Sequence, residues 1–281
     1  MIIIKLQGGI GNQLFQYSFG KFLMLKKGKN IKFDFFIEGK DTQREYKLGN
    51  FNTKVEFSTD KEIKDTKYRY GFFSKLSRII KRKIFKNYNI GYSKKSLKIE
   101  NGYFEGFWQS YRYLEPIQDI LLKEITTKEN IDEKYADLFS QINSSNSVSL
   151  HIRRGDYISN PKTKKMHNVF GMEYYVMSID MIREKILNPT FFVFSDDIEW
   201  AKNNLKINSP VVFVSSPEIK DYEELIIMSK CKNNIIANSS FSWWSAWLNQ
   251  NKDKLVIAPK KWFNNLSINI DDLIPENWLK I

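Results

Sequence analysis

Two adjacent arginines and an aspartate follow an apolar run in the middle of the chain. The run, residues 148–152, alternates in the manner of a buried β-strand, and Arg153, Arg154 and Asp156 come after it. A guanidinium group is planar, permanently charged and able to bind a phosphate through two parallel hydrogen bonds. The pattern therefore predicts an enzyme that handles a diphosphate-bearing substrate. The alternative is that the arginines only form surface ion pairs with neighbouring carboxylates.

Further polar clusters follow the predicted strands downstream of residue 147. Short apolar runs alternate there with helical ones, which predicts a parallel sheet of about five strands with helices on both faces. Ligands bind to such sheets beyond the carboxyl ends of the strands, so Asp196, Asp197 and residues 238–240 are candidate contacts. Turn propensity alone would also place these residue types there. His151, on the inward side of its strand, is predicted to be a hydrogen-bonded structural residue rather than a base.

The cluster at residues 238–240 precedes an aromatic-rich helical segment. Asn238, Ser239 and Ser240 are small polar residues that can cap the helix and hold an anion in the same turn. Large aromatic side chains at helical spacing usually serve burial. We therefore expect Trp243, Trp244 and Trp247 to pack in the core rather than contact a substrate.

A glycine-rich turn at residues 8–13 opens the first predicted helix after a short strand. Together with Asp34 it is similar to the dinucleotide-binding pattern, so an NAD-dependent oxidoreductase is an alternative from another reaction class. Leu14 stands where the third glycine of that pattern belongs and opposes close packing of helix on strand. Asn12 and Gln13 instead place amide groups at a helix N-terminus, which favours an anion or a sugar hydroxyl. A simple tight turn with an asparagine cap is the third possibility.

The net charge of +12 is concentrated in one segment. Residues 67–98 contain eleven lysines or arginines and no acidic residue, which leaves 33 basic against 32 acidic residues elsewhere. Apolar side chains recur there at helical spacing, which predicts a basic amphipathic helix at 72–87. Such a helix can lie on an anionic membrane, contact nucleic acid, or pack on the core with its lysines in water. Because the rest of the chain has almost no net charge, we disfavour nucleic acid as a partner.

Composition favours a globular enzyme of the reducing cytoplasm. A chain of 281 residues, 42% of them hydrophobic, is long enough for two units of ordinary size. Its single cysteine, Cys231, excludes an internal disulfide and a cysteine-based zinc site. No apolar segment is long enough to span a bilayer, and none is typical of a signal peptide. With two histidines and no acidic metal-binding motif, we expect no metal dependence.

The pattern along the chain predicts two lobes. The N-terminal half begins as a strand, a helix and a second strand and is less regular afterwards. Five consecutive polar residues, 143–147, favour a boundary. We therefore expect an N-terminal lobe of residues 1–143 and a C-terminal lobe of residues 144–281, arranged as two Rossmann-like lobes facing a central cleft.

Four motifs together resemble the bacterial α-1,2-fucosyltransferases of glycosyltransferase family eleven. They are residues 8–17, 151–157, 194–197 and 238–244, which occur in the order and at the spacing of that family. The double-arginine motif is shared with the α-1,6-fucosyltransferases, whereas the glycine turn and the tryptophan cluster are particular to the α-1,2 group. The resemblance spans almost the whole chain, although residues 67–98 match nothing diagnostic.

The resemblance implies a GT-B-like α/β fold, with the acceptor on the N-terminal lobe and GDP-L-fucose on the C-terminal lobe. It implies inversion at the anomeric carbon without a metal or other cofactor. Arg153 and Arg154 match the donor-binding pair and would neutralise the departing GDP. Asp156 is the first candidate for the base and Glu173 the second, although Asp156 could instead orient Arg154 or His151. The other implied donor contacts are His151, Asp196, Asp197, Asn238, Ser239, Ser240 and Phe241, and the turn contributes Gly9, Gly11, Asn12 and Gln13 near donor or acceptor.

The expected reaction is transfer of L-fucose to the 2-hydroxyl of a galactoside during synthesis of a surface polysaccharide, either O-antigen or capsule. Transfer of a related GDP-deoxysugar such as colitose is the alternative within this class. The expected partners are a GDP-sugar and a galactose-containing oligosaccharide, which is lipid-linked in one version of the hypothesis. Residues 67–98 would then hold the cytoplasmic enzyme peripherally at the inner membrane face.

Overall fold

The protein is described by a computed structural model. It covers residues 1–35, 45–68, 90–155, 171–265 and 270–281. The predicted basic helix at 72–87 and the candidate base Asp156 lie outside the described residues. No helix among the described residues combines the length and the apolar character that spanning a membrane requires.

The chain forms two compact units. The first consists of Met1–Thr126 with Ile268–Ile274, and the second of Thr127–Ser267 with Pro275–Ile281. The division predicted at 143/144 falls within the second unit. The polar residues that favour a boundary there end one helix and begin the next strand, where the Ser147 hydroxyl accepts a hydrogen bond from the backbone N–H of Lys232 at 3.0 Å.

A three-stranded parallel sheet forms the centre of the first unit. Strand β1 (Ile2–Lys5) lies between β2 (Ile31–Asp34) and β3 (Gly102–Phe104). The isoleucines of β1 are fully buried, as expected for a parallel strand covered on both faces. Helix α1 (Ile10–Lys27) follows β1 and ends at Gly28, whose φ of 61° forms a left-handed C-cap. The described part of this unit also contains α2 (Asp60–Tyr68), α3 (Lys94–Leu97) and α4 (Gln118–Glu124), with 3-10 turns at Leu48–Asn50, Tyr111–Tyr113 and Glu115–Ile117.

A six-stranded parallel sheet forms the centre of the second unit. Its strands, in chain order, are β4 (Asn146–Ile152), β5 (Pro189–Ser195), β6 (Val211–Phe213), β7 (Asn233–Ile235), β8 (Val256–Ala258) and β9 (Leu279–Lys280). They lie side by side in the order β6-β5-β4-β7-β8-β9. This is the Rossmann order. Successive strands are added on one side of β4 up to β6 and on its other side from β7 onward, so the strand order reverses between β4 and β7, where ligands of such sheets bind. The helices among the described residues of this unit are α5 (Ile131–Lys134), α6 (Ala136–Ser144), α7 (Met172–Lys185), α8 (Ile198–Asn204), α9 (Asp221–Lys230) and α10 (Ser240–Leu248).

The predicted α/β class with a parallel C-terminal sheet is confirmed. All five strands predicted after residue 147 are present, although β7 begins earlier than predicted, at Asn233. The sequence missed β9 because two residues are too few to produce a pattern. The pattern of residues 131–142 predicts one helix, which the structure divides at Tyr135.

Candidate active site

Arg153 and Arg154 follow β4, and each is held by an aspartate that follows the neighbouring strand β5. Nη1 of Arg153 lies 2.9 Å from Oδ2 of Asp196. The backbone N–H of Arg154 donates to the other oxygen of Asp196 at 2.8 Å, and its Nε donates to Asp197 at 3.3 Å. The structure thus brings together four charged residues that the sequence places after two different strands.

The guanidinium of Arg154 is fixed from two sides. Its central carbon lies 3.5 Å from the centre of the Trp200 ring, a cation–π contact, and its Nε is bonded to Asp197. Neither terminal Nη group donates to any atom of the described residues. A cation held in this way can offer both terminal nitrogens to a phosphate.

Close backbone packing allows Asp196 to reach both arginines. A Cβ at Gly155 would lie only 2.6 Å from Oδ2 of Asp196, so a side chain at this position would displace the carboxylate. Asp197 is fixed independently, because its Oδ1 accepts a hydrogen bond from the backbone N–H of Trp200 at 3.2 Å and caps α8. The carboxylates are therefore positioned by the local fold as well as by the arginines.

His151 is buried near the end of β4 and is neutral at pH 7. Burial and then the charge of Arg153 lower the pKa of its imidazole to about 3. Its Nδ1 is buried, and no group of the described residues hydrogen-bonds to it. An unpaired buried polar atom is costly, so Nδ1 of His151 is a candidate ligand contact. Its ring lies 5.5 Å from that of Phe241, across the point where the strand order reverses.

The turn after β7 mixes structural residues with more accessible ones. Asn238 is buried and donates to the Trp262 carbonyl at 2.9 Å, while the Ser239 hydroxyl accepts from the backbone N–H of Phe241 and caps α10. Ser240 and Phe241, in the first turn of that helix, are half-buried. The expectation that the tryptophans pack in the core is confirmed, since Trp243 and Trp244 are fully buried and Trp247 nearly so.

Glu224 belongs to this site but was missed from the sequence. The backbone N–H of Ser195 donates to the Ser215 hydroxyl at 2.8 Å, and that hydroxyl donates to Glu224. Burial raises the pKa of Glu224 to about 7, since the Ser215 hydrogen bond offsets the effect only in part and the charges of Asp196 and Asp221 add to it. Its place inside the apolar pattern of α9 gave no signal that it lies beside the strand ends.

The glycine turn of the first unit begins with a backbone conformation that favours glycine. Gly8 has a φ of 84°, and Gly9 is the N-cap of α1 without any side-chain cap. Gln13 donates both amide hydrogens to backbone carbonyls, those of Gly8 and Glu45, each at 2.9 Å. The prediction that Gln13 is a donor to a ligand is therefore wrong, because no amide hydrogen remains. Asn12 differs, since its Oδ1 accepts from Nε2 of Gln109 at 2.8 Å.

Asp34, taken from the dinucleotide-binding pattern, is buried, and Glu173, the second candidate base, is exposed. Asp34 is buried and accepts a hydrogen bond from the Tyr103 hydroxyl, with Nζ of Lys67 at 3.6 Å, so it is paired within the unit instead of being open to a ribose. Glu173 lies exposed in the first turn of α7.

Comparison with known proteins gives matches over the full length. The profile of the family described as Glycosyl transferase family 11 matches residues 1–281. The chain is 36% identical to an alpha-1,2-colitosyltransferase of Escherichia coli, over 100% of this chain and 99% of that protein. It is 34% identical to the O-antigen biosynthesis glycosyltransferase WbnK of Escherichia coli, over 98% and 99% of the two chains.

A solved structure shows the same fold. The fucosyltransferase NodZ from Bradyrhizobium superposes with a TM-score of 0.53 and 10% identity, over 87% of this chain and 91% of that chain. The likeness confirms the GT-B-like α/β fold class. The central cleft stays a prediction.

Proposed function

The chain belongs to glycosyl transferase family 11, and on that premise we propose that it moves L-fucose from GDP-L-fucose to the 2-hydroxyl of a galactoside. Membership in this family overturns the oxidoreductase alternative. Full-length similarity to an O-antigen glycosyltransferase supports a role in surface polysaccharide synthesis. The arginine pair after β4 supports the reaction most directly.

The arginines act on the leaving group. As the bond between the anomeric carbon and the β-phosphate oxygen breaks, negative charge develops on GDP. Arg153 and Arg154 lie where the second unit's sheet would present a diphosphate, and the aspartates hold them in place before the substrate arrives. Stabilising charge that develops only in the transition state lowers the barrier to the chemical step.

The arginines also make a divalent cation unnecessary in this proposal. Their two fixed positive charges supply the neutralisation that a bound metal ion gives in other enzymes. We expect activity to survive prolonged treatment with a chelator. A requirement for added Mn²⁺ or Mg²⁺ after that treatment would contradict this part of the proposal.

Inversion requires a base that removes the proton from the acceptor hydroxyl as that oxygen attacks the anomeric carbon. Asp156 is the first candidate, because it comes two residues after Arg154 in the sequence. Glu173 is the second. Asp156→Asn should lower kcat and leave the dissociation constant of GDP unchanged, whereas unchanged kcat would transfer the role to Glu173.

The remaining donor contacts surround the point where the strand order of the second unit reverses. His151 and Phe241 are assigned to the nucleotide, since Nδ1 of the neutral imidazole has no partner among the residues that the structure describes. Ser240 lies beside them at the start of α10, while Asn238 and Ser239 shape that turn. The glycine turn of the first unit is assigned to the acceptor.

A specific relative favours a second donor. The chain is 36% identical over its whole length to an alpha-1,2-colitosyltransferase, and colitose is fucose without its 3-hydroxyl. A competition assay with equal GDP-fucose and GDP-colitose decides between them by the ratio of kcat/KM values. We expect fucose to be preferred, and preference for colitose would replace the donor while leaving the site unchanged.

We assign residues 67–98 to the surface of an anionic membrane, where a lipid-linked acceptor is available. The net positive charge of this segment supports the assignment. Flotation with vesicles of phosphatidylglycerol and phosphatidylcholine measures it directly. If the protein fails to float with the anionic vesicles at low salt, the membrane assignment is wrong.

Thermal unfolding with added nucleotides tests the donor class. A ligand that binds only the folded protein raises its Tm. GDP should raise Tm, UDP and NAD should not, and the GDP effect should disappear in Arg153→Ala. Stabilisation by NAD alone, or no transfer of fucose from GDP-fucose to any galactoside, would overturn the proposed function.

A further inference from the structure

Trp200, in the first turn of α8, belongs to none of the contacts assigned to the donor. Its side chain is partly buried and packs against the hydrophobic core of the second unit. That packing alone would explain an apolar residue at this position. The ring also lies 3.5 Å from the central carbon of the Arg154 guanidinium, however, and packing in the core does not account for this second contact.

The guanidinium lies flat on the ring of Trp200. The bonds from its central carbon to its nitrogens are about 1.33 Å long, so an edge-on approach at 3.5 Å would bring a nitrogen to within about 2.8 Å of the ring. Non-bonded heavy atoms do not pack so closely, since their optimal separation is about 3.5 Å or more. The N–H groups of a guanidinium point outward in its plane. A ring on the face therefore leaves every donor available.

Arg154, Asp197 and Trp200 form a closed set of contacts. Nε of Arg154 donates to Oδ2 of Asp197 at 3.3 Å, and Oδ1 of Asp197 accepts from the backbone N–H of Trp200 at 3.2 Å. The ring of Trp200 then contacts the guanidinium. The bond at Nε fixes the direction of the guanidinium within its plane, and the ring fixes the plane itself. Together the two contacts determine where the terminal nitrogens point.

The start of α8 explains why one residue can make both contacts. Asp197 is the N-cap, and Trp200 follows three residues later, the spacing at which a cap side chain bonds to the helix backbone. The cap that begins the helix therefore also brings the indole beside the carboxylate that Arg154 binds.

The reaction places its new charge on the β-phosphate. GDP carries one more negative charge there than GDP-fucose does, because the oxygen that held the sugar ionises with a pKa of about 6. A guanidinium that is already oriented needs no reorganisation when this charge develops. The orientation of Arg154 therefore matters more for the transition state and for GDP than for bound GDP-fucose.

We propose that Trp200 is a positioning residue, which orients Arg154 toward the charge that develops on the departing diphosphate. The face of its π system holds the guanidinium, and Trp200 acts on the reaction through Arg154. This assignment rests on the proposed function and deepens it by naming the group that orients one of the two arginines.

Trp200→Phe and Trp200→Leu test the proposal. Phenylalanine keeps an aromatic face that attracts a cation less strongly, and leucine keeps apolar bulk without that attraction. From tryptophan to phenylalanine to leucine, the dissociation constant of GDP should rise and kcat should fall in parallel, by about 3- to 30-fold for leucine. KM for GDP-fucose should stay within about threefold. Wild-type GDP affinity in Trp200→Leu would overturn the proposal, as would an equal rise in the KM for GDP-fucose.

A double-mutant cycle with Arg154→Ala separates positioning from packing. Trp200→Leu should weaken GDP binding in the wild-type background and have no further effect in Arg154→Ala, measured by titration calorimetry. The same loss in both backgrounds would show that Trp200 acts only through the core and would overturn the proposal. Leu205→Ala is the matched control, because Leu205 is a partly buried residue at the end of α8 that packs against the same core. It should lower Tm and leave GDP affinity and kcat at wild-type values.

Fluorinated tryptophan weakens the contact while leaving packing almost unchanged. Each fluorine withdraws electron density from the ring face that attracts the cation. In protein labelled at all seven tryptophans, the dissociation constant of GDP should rise with the number of fluorines, and in labelled Trp200→Phe it should not. A rise of equal size in both would overturn the proposal.

Binding of GDP requires no turnover, so these measurements separate the role of Trp200 from the proposed function. Wild-type protein that does not bind GDP would contradict the proposed function. Wild-type protein that binds GDP no more tightly than Trp200→Leu would contradict only the role of the ring.

Discussion

The turns after β1 and β4 occupy equivalent places, each after an inner strand of a parallel sheet, yet they carry different chemistry. After β4, the arginines bond to the carboxylates of Asp196 and Asp197. After β1, the polar side chains are amides such as Gln13 and Gln16, which bond mainly to the backbone. The first arrangement fixes charged side chains in place before a ligand binds, and the second uses neutral amides to fix the backbone of the turn. The difference supports the proposed assignment of the nucleotide diphosphate to the second unit and of the acceptor to the first.

The two turns also differ in how much they contribute to stability. Gln13 and Gln16 are fully buried, whereas the side chains of Arg153 and Arg154 are 32% and 25% exposed. Partly exposed ion pairs contribute little to folding, while removing one partner of a buried hydrogen bond is costly. Substitutions after β4 should therefore reduce activity more than stability, and substitutions of the buried amides after β1 should do the reverse.

Among the variants that test this comparison, Arg153→Ala should have the largest effect, which is on activity. Because one contact to the developing charge is lost, kcat/KM for GDP-fucose should fall by about 10² to 10³. Unfolding in urea should change by less than about 1 kcal/mol. Arg153→Lys keeps the charge without the planar fork, so intermediate activity would show that geometry contributes.

Gln13→Ala is the matched variant on the other turn. It removes the buried amide that bonds the part-buried carbonyls of Gly8 and Glu45 and the backbone N–H of Lys47, so the free energy of unfolding should fall by roughly 1 to 3 kcal/mol. The comparison fails if Arg153→Ala unfolds at lower urea than Gln13→Ala does.

The sequence predicts the arginine turn well because its signals are local. An apolar run predicts β4, and the polar residues at its end are adjacent in the chain. The rule for parallel sheets then places Asp196 and Asp197 beside them, since β5 pairs with β4. Neither step requires knowledge of side-chain packing.

The amide turn and Glu224 were not predictable in the same way. Gln13 was expected to contact a ligand, and only the positions of Gly8 and Glu45 show that its amide is used internally. Gln109 contacts Asn12, which is distant in the sequence, and Glu224 contacts Ser215, which lies outside α9. Contacts of this kind depend on tertiary packing, which local periodicity does not encode.

Glu223 and Glu224 are adjacent in α9, and they show that hydrogen-bond partners as well as burial determine the pKa of a carboxylate. Burial raises the pKa of Glu223, but hydrogen bonds from Lys134, the Lys220 backbone and Tyr135 outweigh it and lower the pKa overall. Glu224 receives a hydrogen bond from Ser215, and its pKa rises to about 7. One carboxylate is therefore a fixed charge, and the other titrates in the physiological range.

Glu224→Gln should have the second largest effect, and the size of this effect on the free energy of unfolding depends on pH. The folded-state pKa of about 7 is above the ordinary value of 4.5, so the stabilisation is complete below pH 4.5 and is lost as pH rises through 7. Glutamine does not titrate. The variant should equal wild type at pH 5 and be more stable by about 2 to 3 kcal/mol at pH 8, measured by urea unfolding.

Glu223→Gln is the control for that experiment. It weakens the pairing of Lys134 at both pH values, so it should destabilise at pH 5 as well as at pH 8. If Glu224→Gln has the same effect at both pH values, Glu224 does not titrate in this range.

Asp197→Ala has the smallest expected effect, because Asp197 serves two weak functions. It removes the cap of α8, which should cost about 1 kcal/mol of unfolding free energy. It also removes the ion pair with Arg154, which is 41% exposed on the aspartate side and contributes little.

Asp197→Ser keeps a capping hydroxyl and loses only the charge, so its stability should match wild type. Since Trp200 still holds the guanidinium, GDP affinity in Asp197→Ser should stay within about threefold of wild type. A larger loss would mean that the aspartate, more than the ring, orients Arg154 for the diphosphate.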